Sequence, residues 1–565
     1  VADVVARYHR LRGEDTFFLT GTDEHAAKVV DAAAERGMTA QQWADRNAGE
    51  FESTFRRLGL THDDFIRTSQ PRHTTRVQQY VKQLLDSGDV YLGDYEGWYD
   101  AGQEEYVPEN KAKEYDFKSP INGKPLVKKK EQNYFFRLSA YADDLLTLLD
   151  GGEVAGQTFD VQPAARKNEI AARIREGLND VPISRHAVGD ESARWGISVP
   201  GDEKHTIYVW IDALFNYLST VDTDDPGGRR KYWQSRATHL IAKDILWFHA
   251  AIWPALLLAL RRQSGNEWIN LPRLVYAHSF WIAEGQKMSK SLGNFIDLEK
   301  IDSYVETFGL DALRYFLASN GPMGTTDADF AEAKFIDVYN SDLANTFGNC
   351  FSRVSNMCSK YFDGKLPAAT GQPQPMTLNR RMDAPPLPLN ESSPADEMKA
   401  PPIPRFDESR PPLPTDSAPP VPNVVGWPEH VHSEVTTAQI LFDRPGYIHL
   451  AIDLGMSLIR DIDNYIEQTQ PFKLAKDPNN LPQVGTILYN CAEALRIASV
   501  LLWPVIPHKV EALWQRIGCG HYVDQLAESG RGDFEKWIVW GQLAPGTPIE
   551  KGEALFPRYQ AAKAE

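Results

Sequence analysis

The chain has 565 residues and a mass of 63.6 kDa, with 60 Lys and Arg against 77 Asp and Glu, a formal net charge of −17. That length exceeds a usual single domain, and a hydrophobic content of 42% excludes a wholly disordered chain. The negative balance excludes indiscriminate binding to nucleic acid but leaves room for a local basic face.

Four cysteines, Cys350, Cys358, Cys491 and Cys519, include no CxxC pair, so neither a disulfide framework nor a cysteine-built zinc site is expected. The longest apolar run, residues 250–260, is too short to span a bilayer, and no signal-like segment opens the chain. The expectation is a soluble cytoplasmic protein with no membrane association.

In chain order, Val1, Val4, Val5, Tyr8 and Leu11 recur at i, i+3, i+4, i+7 and i+10, which predicts an amphipathic helix from the first residue. A domain rarely begins inside a helix, so a segment preceding Val1 is expected. Residues 16–20 (TFFLT) read as a strand that runs into Gly21-Thr22-Asp23-Glu24-His25, followed by a helix over 26–36. Strand, polar turn and helix mark a unit of a parallel α/β sheet, whose ligands bind at the carboxyl ends of strands, where Asp23 and His25 stand.

A second set of such units is predicted from strands at 207–211, 239–245 and 274–278. Between the two sets, short runs are broken by Gly, Pro and charge, including Lys111, Lys113, Lys118 and Lys128, Lys129 and Lys130, as in an inserted domain. From about residue 331 the periodicity is helical, with long stretches at 338–361, 436–467 and 483–502. Residues 367–428 hold seventeen of the thirty-seven prolines, a density that opposes helix and sheet and suits a surface insertion.

The sharpest chemical signal is Lys287-Met288-Ser289-Lys290-Ser291, with Gly285 before it and Gly293-Asn294 after it. Two ammonium groups three residues apart, with hydroxyls and flanking glycine, form a cationic loop able to grip nucleotide phosphates as charge moves onto pyrophosphate. No GxxxxGK[ST] loop is present.

KMSKS is the second signature of class I aminoacyl-tRNA synthetases, and further stretches narrow the resemblance to the methionyl-tRNA synthetase family. In order they are VADVVARYHRLRG, FLTGTDEH, DYEGWY, NYFFRLS, ISR with WGISVPGD, YVWIDALFNY, AKDILWFHAAIWPALL, KMSKSLGN, NSDLAN, GNCFSRV and LFPR. The match spans nearly the whole chain outside the proline tract.

The resemblance implies a Rossmann-like parallel-sheet catalytic domain in two halves, at 1–89 and 205–270, split by an inserted connective domain at 90–204. A KMSKS-loop region at 271–330 follows, then an all-α anticodon-binding helix bundle at 331–565 interrupted by the proline-rich insertion 367–428.

The implied reaction joins methionine and ATP, with Mg2+, into methionyl-adenylate and transfers the methionyl group to the terminal ribose of tRNA(Met). The implied methionine pocket is Trp210, Ala213, Tyr217, Ile245, His249 and Trp253, with Asp23 holding the α-amino group. Aromatic rings suit a polarizable thioether, and a buried ammonium needs a carboxylate. Asp244 and the loop residues Lys287, Met288, Ser289, Lys290 and Ser291 fall to ATP, with Lys287 and Lys290 as the catalytic cations. Asn345, Asn349 and Arg353, at i, i+4 and i+8, are the implied anticodon readers. Phe472, where the family has Trp, keeps a stacking face for an anticodon base.

Three departures stand out. The family's first signature, His-x-Gly-His, lies upstream of the opening helix and occurs nowhere in these residues, so the chain as it stands is expected to adenylate poorly or not at all. The zinc-knuckle positions of many relatives are Asp100, Gln103, Ser119 and Asn122 here, so no structural zinc is expected. Ala26 and Ala242 replace frequent glycines. The chain ends soon after LFPR, and a monomer is expected. The alternative reading is a non-catalytic tRNA-binding or regulatory protein derived from a synthetase; the 110-residue scale of the insert is too small for the editing domain of other class I enzymes.

Overall fold

The computed structural model describes residues 1–100, 105–107, 109–120, 123–187, 194–223, 228–289, 293–371, 376–378 and 423–560. The opening helix, Ala2–Leu11, follows its apolar pattern, burying Val4, Tyr8 and Leu11. Tyr8 stacks on Phe442 with ring centres 4.5 Å apart, which joins this helix to the carboxyl-terminal bundle.

The first strand is Leu19–Thr22, shifted from the expected 16–20, because its parallel ladder with Asp64–Arg67 begins at Leu19 opposite Asp64. Phe17 instead stacks on Tyr232. Gly21 is required here, since a Cβ would collide with the Ile66 carbonyl of the neighbouring strand. The helix Ala27–Ala34 follows the turn.

A second parallel sheet orders Thr238–Ala242, Leu274–His278 and Asp160–Gln162 side by side. Residues 160–162 fall inside the stretch 90–204, yet they supply an edge strand of this sheet. Of residues 207–211 only Ile207 belongs to a strand. The strand is Asp202–Ile207, antiparallel to Ser184–His186 and Ser198–Val199, and Val209–Leu214 is helical. A short apolar run carries no period that separates strand from buried helix, and here burial of Ile211, Ala213 and Leu214 settled on helix.

An antiparallel sheet in the order Glu105–Val107, Val90–Asp100, Val127–Phe136, Val181–Pro182 stands between the two parallel sets. Of the four zinc-knuckle positions, Asp100 is buried at the end of its strand Val90–Asp100 and Ser119 is buried in the connection that precedes Val127, while Gln103 and Asn122 lie outside the described residues.

The carboxyl-terminal part is helical. Residues 338–361 divide into a π-helical stretch, Tyr339–Gly348, and the α-helix Asn349–Tyr361. Residues 436–467 are two helices, Trp427–Phe442 and Ile448–Thr469, because Pro445-Gly446 breaks the ladder between them. The central helix, Leu481–Leu502, is buried along most of its length and encloses the ion pair Glu493–Arg496 at 2.6 Å. The span Pro478–Leu502 is long and apolar enough to cross a membrane, but 94% of its apolar window lies inside the bundle.

Most of the proline tract lies outside the described residues; at its edges Met376–Leu378 and Asn423–Val425 pair as a short antiparallel ladder. Both triplets are free of proline, which is why a ladder forms in a tract otherwise hostile to it. Arg314 bolts the sheet region to the bundle, donating to Asp3 at 2.6 Å and to the carbonyls of Val505 and Pro504 at 3.1 and 3.2 Å.

Candidate active site

The turn after the first strand is held at nearly every residue. Glu24 is buried and receives Arg67 through Nε at 2.7 Å and Nη2 at 3.1 Å, with hydroxyls from Thr22 and Ser69. Its backbone N–H donates to Thr68 Oγ1 and its carbonyl accepts the Trp195 indole N–H. His25 Nδ1 lies 2.6 Å from Asp212 Oδ2, and the other Asp212 oxygen lies 2.6 Å from His73 Nε2.

Asp23 is the exception, exposed and without a hydrogen bond among the described residues. Protein mass crowds it on the inner side, so loss of hydration, followed by the Asp212 charge, pushes its carboxyl up to about 6. A carboxylate so placed gains most from a cation.

Beside it stands an aromatic cage. The helix Asn216–Val221 presents Tyr217, the turn Lys243–Ile245 presents Ile245, and the π-helical stretch Phe248–Ile252 followed by Trp253–Arg261 presents His249 and Trp253. The Tyr217 hydroxyl donates to His249 Nε2 at 2.7 Å, and His249 Nδ1–H donates to the Ile245 carbonyl at 3.0 Å. The Trp253 indole donates to His239 Nε2 at 3.3 Å. The Tyr217 ring lies 4.2 Å from that of His239 and 5.9 Å from that of Trp253.

Burial pushes His249 down to about 4 and His239 well below its ordinary value, so both rings are neutral. Burial and then the Asp23 charge push the Tyr217 phenol up, which keeps it a donor. The polar atoms of the cage are thus turned on one another, and what remains is an apolar, polarizable wall. Ala213 is buried on the helix Val209–Leu214, and half-buried Trp210 stacks on Phe248 at 4.8 Å.

Asp244 is exposed at the carboxyl end of the strand Thr238–Ala242, next to Ile245. The cationic loop follows the strand Trp281–Ala283. Asn294 staples it, accepting the Ser289 N–H at 2.9 Å and donating to the carbonyls of Ala283 and Lys287 at 3.1 and 3.2 Å. Glu284, Gly285 and Gly293 take positive φ, the backbone that lets so short a segment reverse. Lys287 is exposed and makes no ion pair among the described residues, and Met288 is half-buried against the bundle core. Lys290 and Ser291 lie outside the described residues.

The helical trio divides differently from expectation. Asn345 and Asn349 are exposed, the first in the π-helical stretch and the second at the start of the α-helix. Arg353 is half-buried and already engaged, with Asp463 at 2.9 Å and Glu467 at 2.5 Å from the helix Ile448–Thr469. Phe472 is 38% exposed on the short helix Pro471–Leu474.

Sequence reasoning named neither Glu24 and Arg67, nor Asp212 and His73, nor His239, nor the Asn294 staple as site residues. Asp212 meets His25 across 187 positions and His73 across 139, and no local pattern signals such contacts. The one available signal was charge inside apolar runs, as in the Asp of VWIDAL.

A sequence-family model described as tRNA synthetases class I (M) matches residues 1–115 and 111–355. The methionine–tRNA ligase of Halalkalibacterium halodurans is 35% identical over 568 residues, covering 98% of this chain and 74% of the relative. That of Streptomyces coelicolor is 35% identical over 571 residues, covering 99% of this chain and 92% of the relative. Among solved structures, Mycobacterium tuberculosis methionyl-tRNA synthetase in complex with methionyl-adenylate superposes with a TM-score of 0.76 at 30% identity, covering 98% of this chain and 94% of that one. The free-state structure of the same enzyme gives 0.71 at 27% identity, covering 99% and 94%.

Proposed function

As a member of the class I methionine–tRNA ligases, this chain joins methionine to tRNA with ATP as co-substrate, and we propose that it binds methionine between Asp23 and the Tyr217–His249–Trp253 cage. The observation that carries this reading is the pairing of one free carboxylate with a wall whose polar groups satisfy one another.

Asp23 takes the α-ammonium. The thioether lies against Tyr217, His249 and Trp253, with Trp210, Ala213 and Ile245 completing the pocket; sulfur gains ring contacts there that a polar side chain would not. A methionine carboxylate oxygen attacks the α-phosphorus of ATP, the bond to the β-phosphate oxygen breaks, and pyrophosphate departs. Lys287, with Lys290, meets the charge that moves onto pyrophosphate, and Met288, Ser289 and Ser291 shape the loop around it. Asp244 lies beside the adenylate. The terminal ribose hydroxyl of tRNA(Met) then attacks the acyl carbon and AMP leaves. These steps ask for positioning and charge stabilisation, with no covalent enzyme intermediate.

Mg2+ arrives with the nucleotide in this reading. Asn345, Asn349 and Arg353 read the anticodon and Phe472 stacks on one of its bases. The reading takes the chain as a monomer at work in the cytoplasm, with catalytic parts at 1–89 and 205–270, an insert at 90–204, the loop region at 271–330 and the anticodon bundle at 331–565.

The experiment is amino-acid-dependent exchange of pyrophosphate into ATP over a panel of side chains, on a chain to which a His-x-Gly-His segment of the family has been joined. Methionine far ahead is expected; leucine or cysteine in the lead would overturn the pocket assignment.

A further inference from the structure

Asp212 has no part in the reaction steps, yet its carboxylate is fully enclosed behind the turn that carries Asp23. Two separate elements meet on it. His25 from the turn lies 2.6 Å from Oδ2, and His73 from the helix Pro71–Ser87 lies 2.6 Å from Oδ1. Burial opposes the Asp212 charge, but these two bonds hold its carboxyl below the usual range. An ionised carboxylate only accepts, so each facing ring nitrogen carries its proton. His73 Nδ1 lies 2.8 Å from the Ser219 hydroxyl, so both ring nitrogens of His73 are engaged and the ring is fixed against the carboxylate.

Enclosing a carboxylate away from water is costly, and an apolar or amide side chain would fill the same space at less cost. The groups that face Asp23 show what the charge can do. They are Glu24 and His25 from its own turn, His73, Asp212 and Tyr217. Glu24 is matched by Arg67, whereas Asp212 is held by the rings of His25 and His73, which offset part of its charge but leave it, after burial, the largest influence raising Asp23.

We propose that Asp212 is a positioning residue for the amino-acid substrate: gripped by His25 and His73, it locks the Thr22–His25 turn with Asp23 turned outward and places a second negative charge behind the one that meets the ammonium. The proposal rests on the reading of Asp23 as the ammonium ligand.

The test is calorimetric titration of the full chain with methionine and with 4-(methylsulfanyl)butanoate, which lacks the amino group, between pH 5 and 8. In Asp212→Asn the methionine Kd rises about ten-fold. The pH below which methionine binding fails moves downward, because Asp23 no longer titrates against a neighbouring anion. Binding of the desamino acid stays within about two-fold. Equal weakening of both ligands would make Asp212 a merely structural residue and overturn the proposal, as would an unshifted pH curve.

Asp23→Asn separates the two readings. If it leaves methionine affinity intact, the ammonium assignment itself fails; if it abolishes binding while Asp212→Asn behaves as wild type, only the present proposal fails. Should Asp212→Asn not fold, the imidazole nitrogen resonances of His25 and His73 in the wild-type protein decide. They move on addition of methionine and not of the desamino acid, and stationary resonances with methionine would overturn the proposal.

Discussion

The Tyr217 hydroxyl donates to Nε2 of His249 at 2.7 Å, which leaves both polar groups of the cage occupied with each other. Removing the hydroxyl in Tyr217→Phe strands a buried acceptor. A stability loss of about 1–3 kcal/mol is expected by urea unfolding, because an unsatisfied buried group costs more than the bond itself contributed. The same variant admits polar competitors to the pocket more readily, read as a smaller preference for methionine in pyrophosphate exchange.

The two buried histidines set a pH dependence. His249 has its folded value near 4, below the ordinary value near 6.5, so the unfolded chain binds the proton more readily between them. Stability from this group is complete above the ordinary value and is lost as pH falls toward 4, by up to about 3 kcal/mol. His239 acts in the same direction. Asp23, raised to about 6, has the opposite sign and favours folding at the acid end of that window. Urea midpoints measured from pH 7 to pH 4 should fall for the wild type and fall less steeply for His249→Gln; equal slopes would place the sensitivity elsewhere.

Lys287 is exposed and free of ion pairs among the described residues, so Lys287→Ala leaves thermal stability unchanged. Methionine-dependent exchange drops by roughly 10²-fold or more, the scale of losing one preorganised charge at a transition state. Methionine Kd is unaffected, which separates a role in the chemical step from a role in binding.

Arg353 is paired with Asp463 and Glu467 of the neighbouring helix. In Arg353→Ala, charging of tRNA(Met) falls by roughly ten-fold or more while exchange is unchanged. Equal losses in both assays would make Arg353 a strut of the bundle, since its removal leaves Asp463 without its cation.

What could be read in advance followed from period and motif. The opening helix, the strand Leu274–His278 and the turn at Asp23 all carry local signals, and they lie where those signals put them within a few residues. Residues 207–211 misled because an apolar run of that length fits strand and buried helix equally. The break at Pro445 was written in the sequence and outweighed by apolar periodicity on both sides. Asp212, His73 and His239 were out of reach because their meaning lies in contacts across more than a hundred positions or in enclosure, which no local window registers. The engagement of Arg353 by a neighbouring helix was hidden for the same reason.

The most direct test of the account is a crystal soaked with selenomethionine and measured at the selenium edge. The anomalous peak is predicted among the rings of Tyr217, His249 and Trp253, with the ammonium on Asp23. A peak away from that cage, or an ammonium bound to any other carboxylate, would contradict it.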